Sequence, residues 1–285
     1  MTAPPAPGHA SADAFFLDTP GGKRFCMFHA PVGACRGALV YVHPFAEEMN
    51  RARRMAALGA RALAAQGVGV LLIDLHGCGD SADDFGDATW DGWLRDIACA
   101  RAWIEERLGR RAGLWGLRLG ALLAVVHAQR APVPPQRLLL WQPVTNGSGY
   151  LNGFLRLRLA GELLAGGSDS GGTEALREAL ANGESLEIAG YTLNPQLAGG
   201  IDGADARALG PRCPIDWFEV TAAAGRPLPP AAVRVADTWR LQGSRVDVHL
   251  VQGPQFWTAP ETVDCPALLE ATLAATPASP EPPDA

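Results

Sequence analysis

Short apolar runs alternate with longer stretches of helical period along this 285-residue chain. The runs Ala14–Asp18, Arg24–His29, Ala38–His43, Val68–Asp74, Gly113–Gly116, Arg137–Trp141, Ile215–Val220 and Val246–Val251 read as strands. The longer ones are bounded by Gly, Pro or Asp, as buried strands are. Between them, Met55, Leu58, Ala62 and Ala65 recur at three- and four-residue steps, and Trp93, Ile97, Ala100, Ile104 and Leu108 do the same. Such stripes predict helices with one apolar face. Two opening strands followed by β-α repeats predict a mostly parallel sheet with helices on both faces.

The regularity fails between Val144 and Gly210, a stretch holding a Gly/Ser-rich link from Gly166 to Gly172 and a short helical pattern over Glu174–Ala181. Ordinary connections run to roughly 2–6 residues. Residues 144–210 are therefore expected to be a lid arching over the carboxyl ends of the strands, where open α/β sheets bind ligands. The core is expected over 13–143 and 211–275, with tails rich in Pro and Ala at 1–12 and 276–285.

Composition narrows the classes. Hydrophobic residues make up 48% and charged residues 19%, a globular balance. With 24 Lys and Arg against 30 Asp and Glu, the net charge of −6 disfavours nucleic-acid binding. The six cysteines show neither a C-x-x-C pair nor zinc-ligand spacing, so they read as reduced thiols, and no metal or other cofactor is expected. No secretory signal and no run long enough to span a bilayer is visible, which predicts a cytoplasmic protein.

The most informative segment is Leu114–Leu123, which reads as a strand, a tight Gly116-Leu117-Arg118-Leu119-Gly120 turn and a helix. This is the frame of the G-x-S-x-G nucleophile elbow, with Arg118 in the place of the serine. His43-Pro44-Phe45 follows the third strand, where an oxyanion loop belongs; Pro44 lacks a donor, but the Phe45 and Leu119 N–H groups are available. Asp74-Leu75-His76-Gly77-Cys78-Gly79-Asp80-Ser81 looks like the D-x-R-G-x-G-x-S turn of α/β-hydrolases. Together the three motifs predict an α/β-hydrolase fold with an inserted lid.

The chemistry of that fold needs a nucleophile, a histidine and an orienting acid. Arg118 has no free lone pair to attack with. No Asp occurs from Thr221 to Ala236, which leaves Glu219 as the nearest carboxylate. No His follows His249, and Gln255 stands about where the catalytic histidine belongs. His249 itself, in mid-strand, reads as a packed residue.

Several segments resemble the second of the two hydrolase-like families found alongside exosortase A systems. They are His43–Asn50 with Arg53-Arg54, the Trp115–Gly120 elbow, Leu140–Val144, Phe154–Arg158 and Gly183–Tyr191. His43 departs from that family's Pro-Pro-Phe start. The resemblance spans most of residues 14–275 and implies a bacterial cytoplasmic protein linked to exopolysaccharide production and PEP-CTERM sorting, with a pathway protein as a partner. It supplies no substrate.

Arg118, at a helix N-terminus, needs a counter-charge. Either Glu47, Glu48 or Glu219 pairs with it, or a ligand carboxylate or phosphate does. His43 is a candidate displaced base or a turn-shaping residue, and His76 with Cys78 forms a candidate dyad. Phe154–Ala160 reads as lid packing rather than a membrane-surface helix. Phe45, Trp141, Trp217 and Trp257 read either as core or as a sugar-stacking wall. The candidate pocket thus comprises His43, Phe45, Glu47, Glu48, Arg118, Leu119, Gln142, Glu219, Gln255 and Trp257, for an anionic, acyl or saccharide ligand. Three functions stay open: a binding or accessory protein without the triad, an acyl hydrolase or acyltransferase using His43 or Glu219, and an interaction scaffold with a vestigial pocket.

Overall fold

The computed structural model describes residues 12–164, 171–223 and 225–276. Eight strands form one sheet: β1 (Ala12–Thr19), β2 (Gly22–His29), β3 (Gly37–Val42), β4 (Val68–Ile73), β5 (Ala112–Leu117), β6 (Leu138–Trp141), β9 (Ile215–Thr221) and β10 (Val246–Gln252). Their spatial order is β1-β2-β4-β3-β5-β6-β9-β10. The β1–β2 and β2–β4 pairs are antiparallel and the other five are parallel. The central strands are apolar throughout because helices cover both faces, so neither side meets water.

One face packs against α2 (Trp90–Leu108) and α3 (Leu119–Arg130), the other against α1 (Glu47–Ala65) and α8 (Pro266–Ala275). The buried stripe of α1 differs in phase from the one read from the sequence. Met49, Ala52, Met55, Ala56, Gly59, Ala60 and Leu63 face the sheet, while Leu58 and Ala62 are half-buried and Ala65 is exposed. Small residues win this face because the helix sits close to the sheet. A Cβ on Gly59 would lie 2.6 Å from the Trp115 ring.

Residues after β6 form the lid-like insertion: α4 (Gly147–Leu164), α5 (Gly172–Ala181), the hairpin β7–β8 (Leu186–Ile188, Tyr191–Leu193) and α6 (Pro195–Asp202). The hairpin was not anticipated. Most of the Gly/Ser link falls at 165–170, outside the described residues, as do nearly all of both terminal tails. Leu151, Phe154, Leu155, Leu193, Leu197 and Ile201 join the same apolar cluster as α2 and α3, so the insertion is continuous with the core. A last helix, α7 (Pro230–Leu241), precedes β10. Among the described residues, no helix is long and apolar enough to cross a membrane.

Candidate functional site

The sharp turn anticipated at Arg118 is present. β5 ends at Leu117, α3 opens at Leu119, and Arg118 between them has φ 55° and ψ −119°. This region is costly for a residue with a Cβ, about 1–3 kcal/mol. Two glycines make the turn possible. A Cβ on Gly116 would lie 2.5 Å from the Ala121 Cα, and one on Gly120 would collide with the Val42 and His43 carbonyl oxygens. Backbone bonds to the end of β6 hold the strain, since Arg118 N–H donates to Trp141 O (3.0 Å) and Val144 N–H donates to Arg118 O (3.2 Å).

The Arg118 side chain meets Glu48 in the first turn of α1, with Nε 3.2 Å from Oε1. The other Glu48 oxygen accepts from the Tyr150 hydroxyl of α4 at 3.0 Å. The guanidinium lies over two rings, 5.7 Å from the Tyr150 centroid and 5.8 Å from that of Trp257. Burial pushes the Glu48 carboxyl up from its ordinary value, opposed by Arg118 and by the Tyr150 hydrogen bond. Burial and the Glu48 charge push the Tyr150 phenol well above its own, so it stays a donor. Glu47, one residue earlier, faces the insertion too: it accepts from Tyr191 Oη (3.3 Å) and Asn50 Nδ2 (3.1 Å) and lies 3.5 Å from Arg51 Nε. Two adjacent glutamates on a core helix thus meet two lid tyrosines. Neither tyrosine was singled out in the sequence, although only three tyrosines occur and two lie in the insertion.

Glu219 is not close-paired with Arg118. It is buried at the end of β9, where Oε1 accepts from Gln142 Nε2 (2.9 Å) and Oε2 from Trp217 Nε1 (3.1 Å). Gln142, itself at φ 43°, also accepts from Val220 N–H at 2.7 Å. Burial raises the Glu219 carboxyl, against those two donors and Arg118. The two donors fix the carboxylate against β6 and β9 and leave one lone pair on each oxygen.

His43 is committed. Its Nδ1–H donates to Pro44 O (2.7 Å), and its Nε2 accepts from Leu75 N–H (3.1 Å). Burial lowers its pKa, so the imidazole stays neutral with its one lone pair occupied. The displaced-base reading gives way to turn shaping. Cys78 is buried and its thiol is pushed up by burial, the reverse of what a dyad requires, while His76 Nε2 bonds Asp83 at 2.9 Å. Gln255 is exposed, and among the described residues nothing links it to Arg118; the ring over the guanidinium belongs to Trp257 two residues on.

A small hollow lies beside the elbow turn. His43, Pro44, Phe45, Leu75, Trp93 and Leu119, with two neighbours, line a hollow of about 10 Å³. That is the smallest space that holds a water. Phe45 is 3% exposed and packs edge-on against Phe154 at 4.9 Å, Phe85 at 5.4 Å and Tyr150 at 6.1 Å. Trp141, Trp217 and Trp257 are buried as well. The sugar-stacking alternative is thereby corrected: these aromatics are core.

The sheet order, the elbow and the covering insertion define an α/β-hydrolase fold, and comparison with known proteins agrees. The profile of the family described as serine aminopeptidase, S33, matches residues 33–169. Est1E from Butyrivibrio proteoclasticus, solved with ferulic acid bound, superposes with a TM-score of 0.61 at 14% identity, covering 92% of this chain and 96% of that one. A thermostable carboxyl esterase from Bacillus coagulans gives 0.59 at 14% identity, over 85% of this chain and 90% of that chain. XC6422 from Xanthomonas campestris, a serine hydrolase without a lid, gives 0.54 at 17%, over 94% and 97%. No curated protein matches the sequence. At such identities the likeness is one of fold.

Proposed function

We propose that this chain is a non-hydrolytic member of the α/β-hydrolase fold, an accessory protein that lacks the Ser-His-Asp triad. The carrying observation is the side chain at the elbow: Arg118, held to Glu48 at 3.2 Å and covered by Tyr150 and Trp257. An arginine there offers no nucleophile, and the hollow lined by His43, Phe45 and Leu119 beside it measures about 10 Å³. The former reaction centre instead joins the elbow, α1 and the lid-like insertion through one charged cluster. An elbow side chain already engaged by Glu48 and two rings favours an interaction role over small-molecule binding at this position.

Placement beside an exosortase system, in exopolysaccharide production and PEP-CTERM sorting, is supported by the sequence resemblance. A protein of that pathway is the partner it suggests, and a cytoplasmic location accords with it. The test is turnover of a panel of acyl esters and thioesters by the wild-type protein and by Arg118→Ala. Rates at the buffer background in both are expected. Wild-type turnover that survives Arg118→Ala and disappears in Glu219→Gln or His43→Ala would instead establish the acyl hydrolase reading.

A further inference from the structure

The opposite edge of the sheet carries a cleft that this reading leaves unused. It lies at the amino ends of β3, β6, β9 and β10, beside the end of α8, with a volume of about 850 Å³. That is within the range of small-molecule sites, roughly 300–1,000 Å³. It lies away from the carboxyl edge, where this fold class ordinarily binds ligands.

Charge distinguishes it. In a chain of net charge −6, the cleft is lined by Arg36, Arg137, Arg240 and Arg245 against Asp216 and Asp247, and with Asp237, which pairs with Arg240 at 3.1 Å from just outside, one positive charge remains in excess before His249 is counted. The acids are also spoken for. Asp216, which is buried, accepts from Arg137 Nη2 on Oδ2 at 2.5 Å and from His249 Nε2 on Oδ1 at 3.0 Å. Asp247 Oδ2 lies 2.9 Å from Arg245 Nε. Arg36 is exposed and makes no ion pair among the described residues.

Asp216 also sets the histidine. A carboxylate accepts, so the proton sits on Nε2 and Nδ1 is the ring's uncommitted nitrogen. The ring is fixed by stacking on Phe218, with centroids 4.6 Å apart and planes at 16°. The lining therefore offers a free guanidinium, a second one on the exposed face of an ion pair, and an oriented imidazole that accepts from a hydroxyl. Arginine forks match planar or tetrahedral oxyanions.

The geometry points to this cleft as a binding site for a small oxyanion-bearing molecule, a phosphate or a polycarboxylate, held by Arg36 and Arg245, with His249 Nδ1 accepting from a hydroxyl or a protonated oxyanion oxygen and with Asp216 and Arg137 as positioning residues. The test is calorimetric titration of the full chain with inorganic pyrophosphate in one arm and citrate in the other. Saturable 1:1 binding tighter than about 1 mM is expected in at least one arm, which identifies the anion class. Arg36→Ala and Arg245→Ala, both on exposed side chains, should each weaken it about tenfold, and His249→Gln should weaken it while shifting no other site. The imidazole Nδ1 resonance of His249 should move on saturation in a nitrogen-15 spectrum. Arg156→Ala, at an exposed arginine of α4, should leave affinity unchanged. Absence of saturable binding in both arms overturns the assignment. So does an equal loss in Arg156→Ala, which would mark diffuse attraction to a cationic surface.

Discussion

Removing the Arg118 side chain should destabilise the protein by about 3 kcal/mol, and the components can be separated. The charge-assisted bond to Glu48 contributes about 1.5–3 kcal/mol and each ring contact about 0.5–1. Breaking a fully buried pair costs about 3–5 kcal/mol, but here the two side chains are 23% and 17% exposed, so water offsets part of the loss. Arg118→Gly loses the same contacts yet relaxes the φ 55° backbone, and should be about 1 kcal/mol more stable than Arg118→Ala. Urea unfolding followed by the fluorescence of the eight tryptophans reads both. In a Glu48→Gln background the Arg118→Ala cost should fall to about 1 kcal/mol, because no stranded carboxylate remains. The pH dependence has a definite sign. Burial already raises Glu48, and loss of Arg118 raises it further. The folded variant then binds a proton that the unfolded chain releases, so its deficit shrinks as pH falls from 7 toward 5 and grows as pH rises. An Arg118→Ala cost that is equal in both backgrounds and flat with pH would refute the pairing as its source.

Other outcomes follow from the same contacts. Tyr150→Phe, which leaves Glu48 Oε2 without its 3.0 Å donor, should cost about 1–2 kcal/mol and raise amide exchange in α4 ahead of the core strands. Gly120→Ala should abolish folding or cost more than about 4 kcal/mol by thermal melt, since its Cβ meets two carbonyl oxygens of the β3 end. Buried His127, whose Nε2 faces Arg101 at 3.2 Å, has its pKa lowered to about 4 by burial and by Arg101. Its stabilising contribution is whole above pH 6.5 and is lost as pH falls to about 4, about 3 kcal/mol in all, and His127→Gln should flatten that part of the stability curve. Arg118→Ser with Gln255→His should stay inert toward esters, because position 255 is exposed and nothing among the described residues links it to position 118.

The elbow was legible because its determinants are local. Gly116 and Gly120 are fixed by contacts within the turn and to the adjoining β3 strand, so spacing alone reveals them. The same holds for Asp74–Ser81, where Ser81 Oγ accepts from Phe25 N–H at 2.9 Å and Arg53 pairs with Asp74 at 3.1 Å, a structural turn as the motif implies. The Arg118 counter-charge was narrowed to three glutamates, but choosing Glu48 requires the end of α1, the end of β5 and helix α4 to be placed together. Tyr150 and Tyr191 were missed for the same reason: their partners are 102 and 144 residues away in the chain. The β7–β8 strands are three residues each, too short for an alternation signal. Of the two readings of Phe45, Trp141, Trp217 and Trp257 the core one holds, because a strand covered on both faces carries its large residues into the core whichever way they point. The amino-edge cleft gathers side chains from seven segments and leaves no mark in any one of them.

The central claim is that the elbow carries no nucleophile, and intact-protein mass spectrometry after incubation with a fluorophosphonate tests it most directly. The wild-type chain should keep its unmodified mass under conditions that fully label an active serine hydrolase run beside it. A stoichiometric phosphonyl adduct on the wild-type protein, mapped to any residue lining the Arg118 site, would contradict the account.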